Sequence, residues 1–84
     1  MGSNEKDVEA VVKNAISETL GISTNDIDME LDIEKEMNAD SLDYVEISMW
    51  VEEDLDIEIQ DEDLDQLKTG MDFVRICNKI IGRA

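Results

Sequence analysis

Histidine and proline are absent from this 84-residue sequence, and cysteine, tryptophan, tyrosine and phenylalanine occur once each. Without histidine, neither a Ser-His nor a Cys-His nucleophile pair can be assembled. The lone Cys77 forms no internal disulfide and fits a reducing compartment. With no proline and only four glycines, little interrupts a helix. Basic residues are scarce too: seven Lys and Arg stand against 23 Asp and Glu, a formal charge of -16. Such a surface repels nucleic-acid phosphates and anionic lipid, and it steers the chain toward basic patches on other proteins. No run of residues approaches the length needed to span a bilayer, and the opening MGSNEKDVEA lacks the apolar core of a secretory signal. The expected compartment is the cytoplasm.

What is present is helical periodicity. Hydrophobic residues make up 42% of the chain, too many and too regularly spaced for a disordered acidic segment. Val8, Val11, Val12, Ala15, Ile16 and Leu20 recur at three and four residues, predicting a first helix over about 4–20. Asn4 is placed to cap it, with Asp7 three residues on, and Gly21 supplies a left-handed stop. A long connection follows over 22–39, with a helical turn expected near Thr24 to Ile27. Ile22, Ile27, Leu31, Ile33 and Met37 are its expected anchors on the core.

The second helix is predicted over about 41–55, capped by Asp40 with Asp43 in its first turn. At about 100 degrees per residue it has two apolar faces. Tyr44, Ile47, Val51 and Leu55 form a core stripe, while Leu42, Val45 and Met49 lie opposite among Glu46, Glu52 and Glu53. Apolar residues ringed by acids on an outward face suggest a binding surface. The segment DIEIQ at 56–60 alternates like a strand but has nothing to pair with, and reads as an extended linker. A short third helix is predicted over 61–67 with Leu64 and Leu67 inward. A fourth is predicted over 71–81, burying Phe73, Val74, Ile76, Cys77, Ile80 and Ile81. The whole chain, 1–84, reads as one all-α domain: an antiparallel four-helix bundle with a short third helix and a long first loop.

The run Asn38-Ala39-Asp40-Ser41-Leu42-Asp43 resembles the attachment motif of acyl carrier proteins, in which Asp-Ser-Leu opens the second helix. The resemblance extends over nearly the whole chain, through Val51-Glu52-Glu53-Asp54-Leu55 and Ile57-Glu58-Ile59 to the apolar last helix. It implies a non-enzymatic carrier of acyl thioesters in fatty acid, specialised lipid or polyketide synthesis. Ser41 would hold a 4'-phosphopantetheine arm transferred from coenzyme A, and Asp40 would position the phosphopantetheinyl transferase and its magnesium. Leu42, Val45, Glu46, Met49, Glu52 and Glu53 match the family's partner-recognition face, to be met by acyl-loading and elongating enzymes with basic patches. Independently of the resemblance, a serine in a helix's first turn stands where an enzyme can reach it, and the positive helix end favours an attached phosphate. The chain is expected to act as a monomer, inserting in no membrane.

Ser48, Met49 and Cys77 are candidates to line space for an acyl chain, although Cys77 reads first as an inert core thiol. Three residues depart from the family pattern: Asn38 where glycine is usual, Trp50 where a small residue is common, and Ser48 where an apolar one is. Asparagine tolerates left-handed backbone, so the turn survives; the other two point to a specialised carrier. A peptidyl carrier of a nonribosomal assembly line is the near alternative within the family. Outside it stand an acidic interaction protein and a calcium-binding protein. Asp61-x-Asp63-x-Asp65 imitates the start of a calcium loop, yet the sixth position is Gln66 and the twelfth Asp72, where such a loop takes glycine and glutamate.

A chain of charge -16 repels itself most strongly when compact. Its thermal midpoint is therefore expected to rise as sodium chloride increases from about 10 to about 300 mM, over which the screening length falls from about 30 Å to under 10 Å. A midpoint independent of salt in a calorimetric series would contradict this.

Overall fold

The computed structural model describes residues 7–83. Its elements are α1 (Val8–Leu20), a 3-10 turn (Thr24–Asp26), α2 (Ile33–Met37), α3 (Ser41–Leu55), α4 (Asp61–Leu64) and α5 (Gly70–Arg83). The bundle is all-helical, with α1 packed against both α3 and α5. The helix α1 opens at Val8, because the Asp7 side chain accepts from the N–H groups of Glu9 and Ala10 at 3.1 and 3.4 Å. The expected cap at Asn4 lies outside the described residues. Gly21 ends the helix at φ 69, a left-handed conformation that a side chain would disfavour.

Core residues come from every part of the chain. Val12, Ile16, Ile33, Ile47, Val51, Phe73 and Cys77 are fully enclosed, with Val11, Ala15, Leu67, Val74 and Ile76 around them. Ile80 is half-buried, but Ile81, expected inward, is exposed in the last turn, about 100 degrees round from Ile80.

The connection over 22–39 is more ordered than the expected loop. Ser23 caps the 3-10 turn by accepting from Asn25 N–H, and Ile27 and Ile33 are buried as expected. Leu31, expected as an anchor, is 40% exposed, and Met29 is buried in its stead. The cause is a turn at Asp28, whose carbonyl accepts from Leu31 N–H and whose carboxylate accepts from Glu30 N–H at 2.9 Å. That turn swings Met29 onto Gly70. A Cβ at Gly70 would meet the Met29 sulfur at 2.6 Å, and the Met29 carbonyl accepts from Met71 N–H at 2.9 Å. Ile33 N–H donates to the Lys68 carbonyl at 2.7 Å, beside an isolated antiparallel bridge between Asp32 and Thr69. The long connection is thus sewn to the segment that precedes α5.

The expected third helix over 61–67 is only Asp61–Leu64, and Leu67 is buried from the turn beyond it. Its first turn holds Asp61, Glu62 and Asp63, and Gln60 makes no side-chain cap. At four residues it draws its order from Leu64 and Leu67 against the core rather than from propensity. In the linker expected over 56–60, Asp56 instead turns the chain at φ 55, residues 57–60 carry no helix or strand, and Gln60 is extended.

Thr69 and Asp72 hold the start of α5 reciprocally. Asp72 accepts from the N–H groups of Lys68 and Thr69, both at 3.0 Å, while Thr69 Oγ1 accepts from Asp72 N–H at 3.1 Å. Burial alone would raise the Asp72 carboxyl, but those backbone donors and the Arg75 guanidinium at 2.9 Å outweigh it and hold the group below its ordinary value of 3.8. A depressed carboxyl contributes stability that is full above the unfolded-state value and is lost as pH falls through the folded-state value. The stability difference between the wild type and Asp72→Asn, measured by denaturant unfolding, should therefore be constant near neutrality and shrink below about pH 4. A difference that widens on acidification would contradict this reading.

Candidate functional site

The site begins at a turn. Asn38 takes φ 60 and ψ 31 after α2, the left-handed conformation expected of a residue in glycine's usual place. The side-chain amide of asparagine makes that region cheaper than for most residues. Ala39 is then buried, and Asp40 returns to extended backbone before α3 begins. Asp40 Oδ1 accepts from Asp43 N–H and Asp43 Oδ2 accepts from Asp40 N–H, each at 3.0 Å. This reciprocal cap fixes Ser41 as the first helical residue and leaves it exposed.

Among the described serines, only Ser41 combines exposure with a hydroxyl that no neighbour bonds. Ser17 is half-buried, Ser23 is exposed but accepts from Asn25 N–H at 3.3 Å, and Ser48 is buried and donates to the Val45 carbonyl at 2.8 Å. The cap also consumes part of the positive helix end. Two carboxylates already sit there, and among the described residues only the N–H groups of Ser41 and Leu42 in that turn lack a partner.

Beside Ser41 lies an open groove of about 580 Å³. Tyr44, Val45, Leu64 and Leu67 give it apolar walls, Lys35 and Lys68 its cations, and Asp32, Glu34, Asp61 and Asp65 its acidic rim. Tyr44, read as a core residue, also ties the groove together: its hydroxyl accepts from Glu34 N–H at 3.2 Å and donates to the Lys68 carbonyl at 3.4 Å. Burial raises its pKa, opposed by the Glu34 N–H and reinforced by Asp32, Glu34 and Asp72, so the phenol stays a donor at neutral pH. The sequence signal for this role was a tyrosine in an apolar stripe, since a buried phenol needs a partner for its hydroxyl. Nothing in the periodicity placed Lys68 or Leu64 beside Ser41.

The outward face of α3 is as expected for Leu42, Val45, Glu46, Met49 and Glu53, all exposed, with Leu42 reaching 75% and Met49 57%. Met49 therefore does not line the interior, whereas Ser48 and Cys77 do lie inside. The structure also separates Glu52 from the other five. It is half-buried, and its Oε2 accepts from Ile59 N–H at 2.7 Å. The reason is rotational: Glu52 lies about 100 degrees round the helix from Glu53, on the flank that meets the 57–60 linker. Burial pushes the Cys77 thiol up to about 11, with the Glu52 carboxylate adding to the shift, so that thiol is protonated and inert at neutral pH.

Comparisons with known proteins give the family of the chain. The family described as a phosphopantetheine attachment site matches residues 10–77. The acyl carrier protein of Bdellovibrio bacteriovorus is 41% identical over 68 residues, covering 81% of this chain and 87% of that protein. The chain belongs to the phosphopantetheine-binding acyl carrier family. Its role is carriage rather than catalysis, its prosthetic group is covalently attached 4'-phosphopantetheine, and its partners are a phosphopantetheinyl transferase and acyl-handling enzymes. Among the described residues, no helix is long and apolar enough to cross a membrane.

Removing the Glu52 carboxylate should release the linker. In Glu52→Ala, hydrogen exchange at the Ile59 amide is expected to quicken about tenfold, the equivalent of losing one charge-assisted hydrogen bond of about 1.5 kcal/mol. Unchanged protection of that amide would show that Glu52 does not hold it.

Proposed function

We propose that Ser41 bears the phosphopantetheine arm and that the protein carries acyl intermediates as thioesters in fatty acid, specialised lipid or polyketide synthesis. One observation supports this above the rest: the single exposed, unbonded serine hydroxyl among the described residues stands at the capped start of α3, beside a groove. A transferase forms the new bond between Ser41 Oγ and the pantetheine-bearing phosphate of coenzyme A as the pyrophosphate bond breaks and adenosine 3',5'-bisphosphate leaves, and the serine loses its proton to that enzyme. The arm supplies a terminal thiol, which the chain itself cannot offer because Cys77 is fully enclosed with its pKa near 11.

The residues around Ser41 have distinct parts. Asp40 spends one carboxylate oxygen on the cap, which leaves the other to help position the transferase and its magnesium. Ser41 and Leu42 N–H groups face an attached phosphate, while Asp40 and Asp43 push its charge outward into solvent. Tyr44, Val45, Leu64 and Leu67 give the arm an apolar wall. The groove beside Ser41 offers space for an acyl group, while Ser48 and Cys77 lie buried in the core with Phe73, Ile47 and Val51.

Docking belongs to Leu42, Val45, Glu46, Met49 and Glu53. Their apolar atoms supply the contact, and their charges, within a total of -16, guide basic enzymes to the face. The same charge opposes self-association, which favours a monomer, and the cytoplasm is the compartment this reading assigns.

Incubation with coenzyme A and a broad-specificity transferase should add one phosphopantetheine mass to the wild type and none to Ser41→Ala. Equal gain by both proteins would refute the assignment. Reversing Glu46 and Glu53 to lysine should lower the rate of modification about tenfold at low salt with helicity intact, as expected for losing rim charges that steer association. An undiminished rate would remove those residues from the docking face.

A further inference from the structure

Trp50 is the one tryptophan of the chain, and it is 48% exposed. It lies on the flank of α3 that meets α1, outside both the core stripe and the groove beside Ser41. Together with Val11, Asn14, Ala15 and Glu18 of α1 and Asp54 of α3, it lines a surface cavity of about 280 Å³. The chemistry of that lining is specific. The indole offers a flat, electron-rich face, Val11 and Ala15 give an apolar floor, and Glu18 and Asp54 add carboxylates, with an amide from Asn14. An aliphatic stem ending in a planar cation suits this lining: methylenes on the floor, a guanidinium against the indole, and N–H donors toward the Glu18 carboxylate.

Other occupants fit less well. A second copy of the chain brings another charge of -16 to an acidic rim, and anionic lipid or nucleic acid meets the same repulsion. A basic enzyme is complementary. Nine residues separate Ser41 from Trp50 along α3, a rise of about 14 Å and about half a turn, with the outward stripe of Leu42, Val45, Glu46, Met49 and Glu53 between them. An enzyme face burying about 800 Å² is wide enough to span both.

We infer that the seam between α1 and α3 is a second docking element, a socket in which Trp50 and Glu18 receive an arginine side chain of the phosphopantetheinyl transferase that acts on Ser41. The inference rests on the proposed carrier reading. It extends the docking surface beyond the outward stripe of α3 to the neighbouring helix, and it gives the bulky residue at position 50 a purpose that neither the core nor the groove provides.

The test uses the full chain, coenzyme A and a broad-specificity phosphopantetheinyl transferase. Trp50→Ala should raise the transferase's KM for the protein about tenfold while kcat stays unchanged, the size of effect expected for a buried aromatic anchor. Trp50→Phe, which keeps an aromatic face, should recover most of that loss, and Glu18→Gln should raise KM several-fold. With Trp50 replaced by fluorotryptophan, the single fluorine resonance should shift on adding the transferase without coenzyme A, a readout that needs no variant to fold. Wild-type KM in Trp50→Ala, or a fluorine resonance that stays still while Ser41 is modified normally, would overturn the socket and leave the carrier reading standing. If the transferase adds nothing to the wild type, the Ser41 reading fails and the socket falls with it.

Discussion

The reciprocal pair between Asp40 and Asp43 is the contact on which the site depends. Each carboxylate takes the other residue's N–H at 3.0 Å, and together they set where the helix begins. Substituting a capping aspartate by alanine costs a helix about 1 kcal/mol, yet the larger consequence here is positional. One residue later, Ser41 would become the cap and spend its hydroxyl on a backbone N–H, as Ser23 does. One residue earlier, it would enter the second position of the turn, about 100 degrees round. The left-handed Asn38 and the buried Ala39 deliver the chain to this cap, and Tyr44 braces the far side by joining α2 to the segment before α5.

Charge is the second constraint, and it sets the character of the surface rather than the fold. With 23 acids and seven bases, most carboxylates cannot each have a cation, and among the described residues Asp7, Asp28, Asp32, Asp40, Asp43, Glu52 and Asp72 accept from main-chain N–H groups, Asp72 in addition to its pair with Arg75. An acidic chain thereby uses its excess charge to define where helices and turns begin. Glu46 and Glu53 on the outward face of α3 and Glu18 on α1 are exposed and can meet a basic partner.

Much of this was legible from residues alone. The 3.6-residue period located α1, α3 and α5, because long amphipathic stripes with one enclosed face leave little choice of register. The exposed side of α3 was equally plain, since Leu42, Val45 and Met49 fall opposite Ile47 and Val51. The irregular connection was harder. Leu31 and Met29 are two residues apart and similarly apolar, and only the Asp28 turn and the bare backbone of Gly70, forty-one residues away in sequence, decide that Met29 goes inside. Glu52 likewise looked like one more surface acid until the linker brought the Ile59 N–H to it. The motif around Ser41 was readable because its geometry is local; the groove walls at Leu64 and Lys68 were not, because they arrive from a segment with no period of its own.

Fragmentation of the pantetheinylated protein by tandem mass spectrometry tests the central claim most directly. The account predicts the added mass on Ser41, with Ser17, Ser23 and Ser48 bare. Recovery of the arm on Ser23, the other exposed serine of the described chain, with Ser41 unmodified, would contradict it.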